Sequence, residues 1–137
     1  MSKEKLIEGL NADLNTELTT VLRYILHHSM AKGLGGEELR ELIEPDITEE
    51  LGHAQYLADK IVALGGTPKL APRMPALTSD VNEMMQEDLR AEVEAIRNYT
   101  ERIRQAEEAG EVGLKVKLEE FAADETEHKE DLERLMG

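Results

Sequence analysis

Laid over itself so that Glu17 falls on Glu92, the chain also matches Tyr24 to Tyr99, Glu50 to Glu125 and His53 to His128. The shared pattern is E-x6-Y-x25-E-x2-H. Such a repeat predicts two similar halves about a pseudo-twofold axis, with the repeated polar groups near that axis.

Four segments have helical composition, and three breaks separate them. The first runs from about Lys3 to Lys32 and stops at GLGG; the second runs from about Glu37 to Leu64 and stops at GGTP. A third starts near Asp80, where Thr78, Ser79 or Asp80 can cap it, and ends near Gly110. The fourth runs from about Gly113 to Met136. No stretch alternates with period two, so no strands are expected. Pro45 lies inside the second segment, where it is expected to kink that helix or start a new one.

The connection from Gly65 to Ser79 holds three of the four prolines. A helix of roughly 28 residues is about 42 Å long. Some 15 extended residues reach roughly 50 Å, enough to cross a bundle end to end. The expected fold is therefore all-α: a four-helix bundle of two antiparallel hairpins, first with second and third with fourth, joined by a long crossover. At 137 residues the chain is expected to form one domain with a single core.

Buried stripes in a bundle repeat at alternating steps of three and four. The first helix reads Leu10, Leu14, Glu17, Val21, Tyr24, His28, and the second Ile43, Ile47, Glu50, Ala54, Leu57, Ile61, Leu64. The third reads Met85, Leu89, Glu92, Ile96, Tyr99, Ile103, Ala106, and the fourth Leu114, Leu118, Phe121, Glu125, His128, Leu132, Leu135. Each stripe carries a glutamate near its middle. His53 and His128 lie one turn beyond Glu50 and Glu125, so both imidazoles can face the same interior. Within each hairpin these groups lie level: Glu17 and the Glu50/His53 pair average to about position 34, and Glu92 and the Glu125/His128 pair to about 109, both at turns.

Four ionised carboxylates in a dry core cost several kcal/mol each after relaxation and repel one another. No Lys or Arg interrupts the four stripes. Either the acids are protonated or cations neutralise them, and metal is the economical answer. The repeat suits two metal ions with near-equivalent ligand sets. The candidate ligands are Glu17, Glu50, His53, Glu92, Glu125 and His128. Tyr24 and Tyr99 are expected as core tyrosines, one of which can bond a ligand carboxylate. His27 and His28 face different sides and are expected at the surface or a helix end.

The net charge of −14, from 30 acids and 16 bases, disfavours nucleic acid and anionic membrane surfaces as partners. No window is apolar enough to span a bilayer. The chain has no cysteine, hence no thiolate metal site. A cytoplasmic setting is expected, and nothing at the N-terminus resembles a signal peptide.

The segments LNTELTTVLRYILHH, ELGHAQYLADKIVALGGTPKL, EDLRAEVEAIRNY and DETEHKEDLERL together resemble the ferritin-like superfamily, most closely the bacterioferritins. The resemblance covers nearly the whole chain. It implies a di-iron carboxylate centre, two iron ions per subunit, with Glu50 and Glu125 bridging. Glu17 and Glu92 would be terminal, and His53 and His128 would each supply one nitrogen. It further implies a ferroxidase that turns Fe(II) into Fe(III) with dioxygen or hydrogen peroxide for iron storage or detoxification, acting as a homo-oligomer. Leu51 stands where bacterioferritins carry the haem-ligating methionine, so no haem is expected. The short fifth helix of large ferritin shells is missing, which leaves room for a dodecamer or a smaller assembly. Two alternatives stay open. One is a non-storage di-metal oxidase or peroxidase of the rubrerythrin or Dps-like type, with iron or manganese. The other is a metal-free helical interaction module.

Overall fold

The computed structural model describes residues 2–137. Its four helices are α1 (Lys3–Met30), α2 (Gly36–Ala63), α3 (Val81–Glu108) and α4 (Val112–Met136). Local chemistry sets several of their ends. Ser2 caps α1 by accepting from the Lys5 amide, and Asp80 caps α3 by accepting from the Asn82 amide. Gly35 takes a left-handed φ of +78° to turn the chain into α2, a conformation a side chain would strain.

α1 packs along α2, and α3 along α4, as the two expected hairpins. The crossover lies on α1. Asn11 donates to the Thr67 carbonyl and accepts from the Lys69 amide at 2.8 Å. Asn15 donates to the Lys69 carbonyl and accepts from the Ala71 amide. Thr19 accepts from the Arg73 amide at 2.9 Å. The spacing explains the fit: four helical residues rise about 6 Å, as do two extended residues. Asn11, Asn15 and Thr19 thus form a ladder along which the crossover climbs parallel to α1. The α3 chain then runs back antiparallel to α1.

Two apolar clusters fill the bundle. One includes Leu6, Leu10, Leu57, Ile61, Leu114 and Leu118. The other includes Ala31, Leu39, Ile43, Val81, Met84 and Leu132. Between them in sequence, on all four helices, lie the buried Glu17, Glu50, Glu92 and Glu125.

Three expectations are corrected. Pro45 does not start a new helix: α2 continues through it, because it lies on the exposed side, where water can serve the carbonyl it leaves unbonded. His27, not His28, continues the α1 stripe, and it is fully buried. α3 is rotated relative to the expected stripe. Asp88, Ala95 and Arg102 are buried, while Leu89, Ile96 and Ile103 are half-buried. A base therefore does enter the interior. Arg102 lies flat against α1 at Gly9, where an added Cβ would fall 2.2 Å from its Nη1.

Candidate metal centre

The six residues singled out from the sequence converge. Glu17, Glu50, His53 and Glu125 form one group, and Glu50, Glu92, Glu125 and His128 a second; within each, one ligand-type atom per residue lies within 4.8 Å of the others. Glu50 and Glu125 belong to both groups. All six residues are buried.

The ring nitrogens are sorted by the same logic in each half. His53 Nδ1 faces inward, 3.2 Å from Glu17 Oε2 and 3.4 Å from Glu125 Oε1. His128 Nδ1 faces inward, 3.2 Å from Glu50 Oε1 and 3.5 Å from Glu92 Oε2. Each Nε2 faces an outer acid on the opposite helix: Asp124 at 2.9 Å for His53, and Glu49 at 3.0 Å and Asp46 at 3.3 Å for His128. A carboxylate on Nε2 holds the ring so that Nδ1 faces the interior, where its lone pair becomes available once the Nδ1 proton is displaced. The halves differ in one respect. Phe121 stacks on the His53 ring at 4.1 Å, whereas Asp46, its counterpart in the first half of the repeat, touches His128.

The electrostatics are those of charges crowded out of water. Burial, followed by the neighbouring Glu17 and Glu125, pushes the Glu50 carboxyl well above its ordinary range. Burial and Glu17 raise Glu125 to about 8. Burial opposes charge on His53, but Glu125 and Glu17 overcome it and raise the imidazole to about 11. Burial likewise opposes charge on His128, and Glu92, Asp46 and Glu125 raise it to about 10. Among the side chains alone, protons therefore hold the centre together.

Hydrogen bonding leaves a remainder. Among the described residues, both carboxylate oxygens of Glu50 and of Glu125, together with Glu92 Oε2 and His128 Nδ1, are buried without a hydrogen-bond partner. Unpaired buried polar atoms of this kind cost about 1–3 kcal/mol each, and they converge on one interior. Such a donor set, four carboxylates and two imidazoles, suits divalent iron or manganese. Tyr24 donates to Glu92 Oε1 at 2.5 Å, whereas the Tyr99 hydroxyl is buried and unpartnered.

Around the centre lie residues the stripes did not reveal. Asp13 accepts from Arg102, and Asp88 is bonded by His27 and Arg23. Asp46, Glu49 and Asp124 orient the imidazoles. The signal that finds most of them is the same repeat, because Asp13 maps to Asp88, Glu49 to Asp124 and His27 to Arg102.

A family model described as a ferritin-like domain matches residues 7–137. The chain is 33% identical over 133 residues to the bacterioferritin of Mycobacterium leprae (strain TN), covering 93% of this chain and 83% of that protein. It is 32% identical over 130 residues to the bacterioferritin of Brucella melitensis biotype 1, covering 94% and 81%. Its fold is similar to a crystal structure of ferritin-like, diiron-carboxylate proteins from Bacillus anthracis str. Ames. That match has a TM-score of 0.94 and 40% identity and covers 100% of both chains.

Proposed function

The chain belongs to the ferritin-like domain family, and on that premise we propose that it oxidises Fe(II) to Fe(III) at a two-iron centre inside its own four helices. The observation that carries this reading is the pair of four-residue groups that share Glu50 and Glu125. Glu50 and Glu125, common to both groups, would be held in common by the two ions. Glu17 and His53 would complete one ion's ligands, and Glu92 and His128 the other's. Four carboxylates balance the charge of two divalent ions. When bound, the irons supply the redox chemistry, each Fe(II) giving one electron to dioxygen or hydrogen peroxide.

The chain's own residues supply position and charge. Asp124, Glu49 and Asp46 hold each imidazole with Nδ1 inward. Tyr24 fixes one oxygen of Glu92 and leaves the other free. The apolar clusters on either side exclude water. Leu51 has no donor atom, so a haem iron finds no ligand from it. Among the described residues, no helix is long and apolar enough to cross a membrane. The net charge of −14 favours cations as partners and disfavours nucleic acid. Half-exposed Ile25 and Leu51 on α1 and α2 offer apolar surface for a homo-oligomer.

The test is aerobic Fe(II) addition with Fe(III) followed by absorbance, beside bound metal counted by elemental analysis. Rapid oxidation that Glu50→Ala and His128→Ala abolish supports the reading. Iron uptake far beyond about two per chain assigns storage, and a plateau near two assigns an oxidase or peroxidase. Metal content unaffected by either substitution leaves a metal-free helical module.

A further inference from the structure

The face that carries the crossover holds a second feature. Between the crossover, α1 and α3 lies a cleft of about 690 Å³. Small side chains, among them Ala12, Thr16 and Ala91, line it together with Arg23, Arg73 and Arg90.

Among the described residues, two of those three guanidinium groups lack an acid partner, as Arg97 and Arg134 do elsewhere on the surface, but here they line one cleft. With 30 acids to 16 bases, a guanidinium has many carboxylates available. Arg23 has Asp88, and Arg104 has Glu101 and Glu108. Among the described residues, neither Arg73 nor Arg90 has a carboxylate oxygen within 4.0 Å. Arg73 is also held in place, since its amide donates to Thr19 and so pins the crossover over α1. That bond uses the Thr19 oxygen as acceptor and leaves its hydrogen to donate. Arg23 uses Nε on Asp88 and Nη2 on Thr20, so its Nη1 stays uncommitted. The acids lining the cleft are Glu87 and Glu94, and the Glu87 carboxylate lies 3.5 Å from His27 Nε2.

We propose that this cleft binds a small oxyanion, a phosphate or a carboxylate, between the guanidinium groups of Arg73 and Arg90, with Arg23 and Thr19 as further donors. Planar guanidinium forks match the paired oxygens of either group and hold them by charge-assisted hydrogen bonds. The volume lies within the usual range for a small-molecule site, about 300–1,000 Å³. A long anionic polymer is repelled by the net charge of −14, whereas a small anion meets the local arginines first. None of these residues is a candidate metal ligand, so the inference stands apart from the proposed iron chemistry.

Calorimetric titration of the full chain at low ionic strength tests it, with inorganic phosphate in one arm and citrate in the other. Saturable binding of at least one is expected, weakened roughly tenfold or more in the Arg73→Ala/Arg90→Ala variant. Binding is expected to be unchanged in Arg134→Ala, whose arginine lies in the last turn of α4. Saturation by phosphate alone names a phosphate ligand, by citrate alone a carboxylate, and by both a general oxyanion site. No saturation by either up to about 10 mM overturns the proposal. So does equal weakening in Arg134→Ala, or none in the double variant. Both substituted arginines are exposed, and circular dichroism checks the fold; should the alanines disturb it, Arg73→Gln/Arg90→Gln carries the same test.

Discussion

His27 and Arg102 are matched by the internal repeat and occupy equivalent places in the two halves. Each crosses the α1–α3 interface to the buried aspartate of the other half. Arg102 Nε donates to Asp13 at 2.8 Å, and His27 Nδ1 lies 2.9 Å from Asp88. Asp13 and Asp88 are themselves matched by the same repeat. The hairpins are therefore joined by two related latches, one closed by a permanent cation and the other by an imidazole helped by Arg23.

Removing the permanent cation should be costly. Burial raises Asp13 to about 6 even with Arg102 opposing it. Arg102→Ala leaves that carboxyl buried without its partner and is expected to lower stability by about 3–5 kcal/mol. Asp13→Asn added to it should recover part of the loss. Gly9→Ala should act in the same direction, because its Cβ would take the space of the guanidinium. Urea midpoints measure all three. A cost below about 1 kcal/mol for Arg102→Ala would show that the pair contributes little.

Stability without metal should fall as pH rises. Asp13, Asp46 and Glu125 are raised by burial to about 6, 7 and 8 from 3.8, 3.8 and 4.5. The folded chain thus holds their protons more tightly than the unfolded chain, and that advantage is lost as pH passes through the folded values. His53 and His128 contribute fully below their ordinary 6.5 and lose the contribution through about 11 and 10. Every sign agrees. In chelator, the melting temperature should drop by roughly 5 °C or more from pH ~5 to pH ~8.5. A rise over that interval would contradict the assignment. Divalent metal must displace the protons held on Glu125, His53 and His128, so its apparent affinity should climb with pH and its binding should acidify an unbuffered solution.

Glu49 and Asp124, the outer acids matched by the repeat, should be unequal in effect. Asp124 is the outer partner of His53, whereas His128 has both Glu49 and Asp46. Asp124→Asn is expected to weaken metal binding about 10–100-fold, and Glu49→Gln to weaken it less. Competition titration with a chromophoric chelator separates them. Equal losses would mean that Asp46 does not substitute for Glu49.

Much of this was legible in the residues, because the repeat concentrates its signal on the groups that meet. Periodicity placed four helices and the crossover, and the six repeated acids and imidazoles do converge. The rotation of α3 was not legible. A hydrophobic stripe assigns Leu89, Ile96 and Ile103 inward and treats Asp88 and Arg102 as outer residues. Their burial depends on partners on α1, far away along the chain. The choice between His27 and His28 turned on that same Asp88. At Pro45 the deciding factor was exposure, which local sequence does not carry.

The tyrosines offer the sharpest contrast between the halves. Both are fully buried, and burial raises both hydroxyls well above their ordinary value, so both remain protonated donors. Tyr24 gives its hydrogen to Glu92, whereas the Tyr99 hydroxyl has no partner among the described residues. A buried, unbonded hydroxyl costs about 1–3 kcal/mol, and deleting it removes that cost at the expense of a small void. Tyr99→Phe is therefore expected to leave the chelator-treated protein as stable or up to about 1 kcal/mol more stable. Tyr24→Phe strips a bond to a carboxylate and leaves Glu92 Oε1 bare, so it should cost about 1.5–3 kcal/mol. Chemical denaturation of the two variants side by side decides the matter. Should Tyr99→Phe prove the more damaging, its hydroxyl must hold a bond in solution, with Glu17, the counterpart of Glu92, as the nearest equivalent acceptor by the repeat.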